Sequence, residues 1–104
     1  MQNQILAMII YPHRKTPVFQ PIKRDMETFT SIIGDTPESV EINNKFTVIC
    51  GRNAVNNGKE RNITITNTGE NIYGTAIICK TDGEDFNSLS FQETYEVDKL
   101  YIRY

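Results

Sequence analysis

Three runs between Phe46 and Cys79 constrain what this chain can fold into. Phe46-Thr47-Val48-Ile49-Cys50 is almost continuously apolar, Arg61-Asn62-Ile63-Thr64-Ile65-Thr66 alternates, and Ile72 to Cys79 is apolar again. In the middle run Ile63 and Ile65 fall on one side and Asn62, Thr64 and Thr66 on the other. That period of two belongs to a strand with one buried face. A polar loop, Gly51 to Glu60, joins the first two runs, and Asn67-Thr68-Gly69 turns the chain into the third. Gly74, inside the third run, marks a bulge or a close approach to the backbone. Strands with turn chemistry between them make an antiparallel sheet the expectation.

The flanking segments extend it. Gln4 to Tyr11 is a short unbroken apolar run that fits a strand covered on both faces, placed centrally and ended by Pro12. His13-Arg14-Lys15-Thr16-Pro17 is a basic turn, and Val18 to Ile22 is an extended partner that Pro21 pushes to a sheet edge. Asp25 to Ile33 reads as the main helix. Asp25 is its N-cap, Glu27 lies in the first turn, Met26, Phe29, Ile32 and Ile33 form one face, and Gly34 follows the last turn. Val40 and Ile42 alternate with polar neighbours, and Asn43-Asn44 folds that strand back on Phe46 to Cys50 in a hairpin. Ser90 and Glu93 form a capping box that starts a short helix over Phe91 to Tyr95, and Val97 to Tyr104 is a last helical turn or an edge strand. The expectation is one α+β domain over residues 1–104. It has a mostly antiparallel sheet of about five to six strands, a main helix at 25–33 and a short C-terminal helix.

At 104 residues the chain can fold without a metal or disulfide staple, and no metal or cofactor motif is present. Its 38% hydrophobic content implies a thin core, either one sheet covered on one face or a core completed by a second copy, so a homo-oligomer is expected. A net charge of −2 argues against a duplex nucleic-acid partner. The N-terminal apolar run is too short for a membrane helix and has no basic region before it, which implies a cytoplasmic protein without a membrane partner. Cys50 and Cys79 belong to no metal-binding pattern. They read as small semi-buried apolar residues, and a disulfide between them is the other possibility.

Nucleophilic catalysis lacks its parts, because His13 is the only histidine and stands in a basic turn, where a solvated surface residue is the plain reading. Asp82, Glu84 and Asp85 make an acidic turn without the alternate-position spacing of a calcium loop. Two surfaces could bind a ligand. The loop carrying Arg52, Asn57, Lys59, Arg61 and Asn62 combines cations, glycine-exposed backbone donors and amides, a composition suited to a phosphate with its sugar or base, and equally to a mobile solvated hairpin loop. The turn with Tyr11, His13 and Arg14 could stack a base and hold phosphates, and Tyr73 is a further stacking candidate.

With these residues in view, the chain resembles a family of small domains of unknown function encoded by phages and mobile elements of Gram-positive bacteria. The resemblance rests on Ile10-Tyr11-Pro12, on the segment from Lys23 to Gly34, where a helix ends Ile32-Ile33-Gly34, and on Val48-Ile49-Cys50 before Gly58-Lys59 and Asn62. It continues in Ile72-Tyr73-Gly74-Thr75-Ala76-Ile77-Ile78 and in Phe86-Asn87-Ser88-Leu89-Ser90. The family tends to carry an acidic pair where this chain has Asn56-Asn57, so no role for those acids carries over. The resemblance implies a non-enzymatic binding protein of counter-defence in a bacterial host's cytoplasm. Such a protein would sequester a nucleotide-derived immune signal or, alternatively, inhibit a host protein through an edge strand or the acidic turn.

Overall fold

Strict alternation in three neighbouring strands covers the main sheet on both faces. In the computed structural model, which describes residues 3–82 and 85–104, this sheet has the order β2-β1-β7-β4-β3. Its strands are β1 (Gln4–Ile10), β2 (Val18–Lys23), β3 (Pro37–Glu41), β4 (Phe46–Gly51) and β7 (Ala76–Asp82), with β8 (Asp85–Asn87) pairing with β7, and all pairings are antiparallel. Ile5, Ala7 and Ile9 of β1, Ile49 of β4, and Ile77 and Cys79 of β7 turn to one face, where Phe29 and Ile33 of helix α1 (Met26–Ile33) cover them. Met8, Ile10, Phe46, Val48, Cys50 and Ile78 turn to the other. A second sheet of three strands lies there, β5 (Arg61–Ile65), β6 (Asn71–Tyr73) and β9 (Tyr101–Arg103), in the order β6-β5-β9, with helix α2 (Phe91–Asp98) beside it. The core is therefore not thin. One chain supplies both layers, and no second copy is needed to complete them.

The α+β class, the mostly antiparallel main sheet and both helices match the sequence-based expectation. Asp25 caps α1, accepting from the Thr28 N–H at 2.7 Å, and Gly34 ends the helix in the left-handed region at φ 78. Met26 is an exception within the apolar stripe, because it is exposed at the first helical position. Ser90 and Glu93 form the reciprocal capping box that starts α2. Val97 to Tyr104 turns out to be both things foreseen for it, the end of α2 and then the short strand β9.

Two features differ. The run Ile72 to Cys79 is two strands in two sheets, because Gly74 adopts φ 74 and breaks the ladder between Tyr73 and Ala76. A Cβ there would meet the Lys59 stem at 3.5 Å and the Ala54 Cβ at 3.9 Å, ordinary contacts, so glycine is required by conformation more than by crowding. In β5 the pairing with β6 shifts register between Arg61 and Ile63. That bulge turns Asn62 inward, and it is buried at 1% exposure instead of sharing the outer face with Thr64.

The cysteines are free, and they belong to clusters on opposite faces of the sheet, which excludes a bond between them. Burial pushes both thiols up to about 12, and at Cys50 the carboxylates of Glu38 and Glu70 add to it. Of the acidic turn, Glu84 lies outside the described residues. No described helix is long and apolar enough to cross a membrane. Among the described residues no cluster of three His, Cys, Asp or Glu side chains could hold a metal.

Candidate functional site

Strand direction decides where the candidate residues meet. β1 and β4 each run antiparallel to β7 between them, so both finish at the same end of the main sheet. The turn after β1 and the loop after β4 therefore emerge side by side, next to the Gly74-Thr75 entry into β7. These are the two segments that the sequence marks separately as binding candidates.

Three sets of contacts fasten this end of the molecule together. The Asn62 amide donates to the Ile10 carbonyl at 2.8 Å and the Gly74 carbonyl at 2.9 Å, tying β5 to the end of β1 and to the sheet crossover. From the last strand, the Arg103 guanidinium donates to the carbonyls of Tyr11 at 3.0 Å, Arg14 at 2.8 Å and Lys15 at 3.4 Å, clasping the basic turn. At the rim His13 Nε2 lies 3.6 Å from Glu60 Oε2, both side chains largely exposed, so this contact adds little stability.

The aromatic and cationic groups collect around this clasp. The Arg61 guanidinium lies 3.9 Å from the centre of the Tyr104 ring, a close cation–π stack. Arg61 is also the register partner of Tyr73 across β5 and β6, so both side chains share one face of the small sheet. Tyr73 and Arg61 thus lie opposite one another on β6 and β5, and Tyr104, the residue after β9, stacks on Arg61 to complete a row. Arg61 pairs with no carboxylate among the described residues, and its Nε is buried without a hydrogen-bond partner, as are Arg103 Nε and Asn62 Oδ1. The Arg14 guanidinium stands 5.5 Å from the Tyr11 ring centre. Beside the turn, Tyr11, Pro12, His13, Arg14, Val18 and Thr75 line an open groove of about 630 Å³.

The remaining candidates go elsewhere. Arg52 points away toward Glu38, at 4.0 Å, and lines a separate hollow with Phe29, Pro37 and Ile49 against α1. Asn57 is exposed in the loop, and the stem of Lys59 lies against Gly74. The expected nest of backbone donors is not available. The N–H groups of Ala54, Asn57, Gly58 and Lys59 donate to carbonyls of Gly51, Asn53, Val55 and Ala54, and that of Asn53 donates to Asp35 at 2.7 Å. Those bonds from Asn53 hold the exposed Asp35 carboxyl below its usual range. Most of the loop's backbone donors are thus committed within the protein. Asn62, expected to touch sugar or base, has both amide hydrogens committed inside the protein.

Sequence reasoning missed Glu60, Arg103 and Tyr104. Their signal was slight: in Tyr101-Ile102-Arg103-Tyr104 alternation puts Tyr101 and Arg103 on one side and Ile102 and Tyr104 on the other.

A family model described as a domain of unknown function, DUF3846, matches residues 5–101. The match spans nearly the whole chain, which therefore belongs to that family, and the resemblance to a small domain of unknown function holds at that level. No curated protein and no solved structure matches the chain.

Proposed function

We propose that this member of the DUF3846 family is a non-enzymatic binding protein that sequesters a nucleotide-derived signalling molecule. We place the ligand at the end of the main sheet where the basic turn meets the small sheet. The observation that carries this reading is the Tyr73–Arg61–Tyr104 row. Its central cation is stacked on an aromatic ring, free of any carboxylate among the described residues, and adjoins the turn bearing Tyr11, His13 and Arg14. Aromatic faces accept a base of any sequence, and arginine forks suit phosphate oxygens. In this reading Tyr104, Tyr73 or Tyr11 stacks the base, and Arg61, Arg14 and Lys59 hold the phosphates. Sequestration needs retention only, so His13 and Glu60 act as a rim contact and not as an acid–base pair.

The setting is part of the proposal. A protein carried by a phage or mobile element, in the cytoplasm of a bacterial host, would lower the free concentration of an immune signal by holding it intact. Inhibition of a host protein by strand addition is less well supported, because both outer edges of the main sheet are guarded. Pro21 interrupts β2, and β3 carries Glu38 and Glu41.

Native mass spectrometry tests the reading. The purified chain is incubated with a panel of cyclic and ADP-ribose-type nucleotides. The expected result is a gain of one intact nucleotide mass by the wild type and its loss in Arg61→Ala. A panel that leaves the mass unchanged, or nucleotides recovered in hydrolysed form, would refute it.

A further inference from the structure

Helix α2 is oriented the wrong way round for a helix that only serves its own core. Two of its three acidic residues, Glu93 and Glu96, are tied to lysines of the main sheet and the turn before β4. Glu93 is within 3.3 Å of Lys80 and 3.4 Å of Lys45, and Glu96 is 3.3 Å from Lys45. Burial acts to raise the Glu93 carboxyl, yet bonds from Ser90 and Lys80 hold it below its usual range. Val97 is the helix's one buried residue, whereas Phe91 is 64% and Tyr95 59% exposed. The helix thus buries one apolar side chain and leaves its two aromatic rings outside, where an amphipathic helix would hold polar groups.

The exposed aromatics are not isolated. Phe91 and Tyr95 meet edge to face at 5.5 Å, and Phe19 of β2 lies 6.4 Å from Phe91. Phe19 and Pro21 share a face of β2, and Leu6, opposite Pro21 and 38% exposed, continues the patch onto β1. Five apolar side chains thus form a contiguous surface away from the proposed ligand site, with Glu93 and Glu96 of α2 already paired to Lys80 and Lys45.

We infer that this surface is the contact between two copies of the chain, formed by packing the outer faces of their α2 helices across a two-fold axis. Phe91 and Tyr95 stand one helical turn apart, so antiparallel helices place each Phe91 on the partner copy's Tyr95 and the reverse, an isologous contact. With aromatic side chains of about 200 Å² each, Phe91 and Tyr95 offer roughly 250 Å² of exposed apolar area. Leu6, Phe19 and Pro21 bring the patch to on the order of 350 Å². An interface at the small end, about 600 Å² per partner and about 60% apolar, needs that amount.

Strand addition is not the route. The Arg24 N–H donates to Asn3 at 2.7 Å, and with Gln4 opposite Lys23 this phase turns the backbone of Phe19, Pro21 and Lys23 outward. Proline, with no N–H to give, sits at the middle of the free edge.

Sedimentation equilibrium of the full chain is the test. The wild type is expected to show a monomer–dimer equilibrium with Kd on the order of 10 μM. Phe91→Asp and, separately, Tyr95→Lys are each expected to raise that Kd at least about tenfold. Both sites are exposed, so both variants should keep the wild-type circular dichroism. Met26→Asp, an equally exposed apolar site on α1, should leave the equilibrium unchanged. A wild type that stays monomeric at about 500 μM, fifty times the expected Kd, or a dimer indifferent to both α2 substitutions, would overturn the proposal.

Discussion

Replacing Asn62 should damage the fold, although the residue stands among the ligand-contact candidates when the sequence is read alone. It is 1% exposed, and its amide makes two bonds of 2.8 and 2.9 Å to backbone carbonyls at the two places where the candidate site is assembled. Asn62→Ala removes the donors to the Ile10 and Gly74 carbonyls, at about 1–3 kcal/mol each. Removing Oδ1, which is buried without a partner, offsets about 1 kcal/mol of that loss. The net destabilisation is about 1–5 kcal/mol, with Tm falling by roughly 4–8 °C per kcal/mol for a domain of this size. Asn62→Asp keeps the volume but exchanges the two donors for acceptors facing carbonyl oxygens. It should be at least as destabilising at neutral pH and should recover in part at acid pH, where a protonated carboxyl can donate once. Urea unfolding of the three proteins at pH 7 and pH 4.5 measures both effects. A loss below about 1 kcal/mol for Asn62→Ala would refute the structural role assigned to this side chain.

Other outcomes follow from local geometry. Gly74→Ala forces a side chain into the left-handed region at the sheet crossover and should cost about 1–2 kcal/mol, read as a lower urea midpoint. Ser90→Ala removes the N-cap of α2 and should cost about 1 kcal/mol by the same assay. Native protein at pH 8 should give almost no reaction with a thiol reagent, and two thiols should react after unfolding. Because both thiols are raised from their ordinary value to about 12, the folded state holds protons that the unfolded chain releases. Stability should therefore fall as pH rises from about 9 toward about 12, by at most about 1.4 kcal/mol per pH unit per thiol, as seen in unfolding midpoints.

What was legible in the sequence was written locally. Asp25 and Gly34 bracket α1, Ser90 and Glu93 open α2, and Pro21 marks an edge strand, because caps and prolines act within a few residues. Sheet membership was not local. Nothing in Ile72 to Cys79 says that its two halves join different partners, since Gly74 permits a break without specifying what pairs on either side. The same limit hid the site. Alternation assigned Asn62 to the solvent face, and a one-residue bulge reversed it. His13 and Glu60 are 47 positions apart and Tyr11 and Arg103 are 92; the shared direction of β1 and β4 brings the first pair together, and the packing of the small sheet on the main one brings the second. Conversely, the loop from Arg52 to Lys59 looked like an anion nest by composition, and most of its backbone donors are spent on its own carbonyls, on Thr36 and on Asp35.

The central claim is a place as much as a ligand class. An amide-resolved NMR titration with the nucleotide that binds in the mass-spectrometry panel tests it directly. The account predicts the largest shifts at Tyr11, His13, Arg14, Arg61, Tyr73 and Tyr104, with α1 and the hollow beside Arg52 undisturbed. Shifts concentrated around Arg52, Glu38 and α1, with the Tyr73–Arg61–Tyr104 row unmoved, would contradict it.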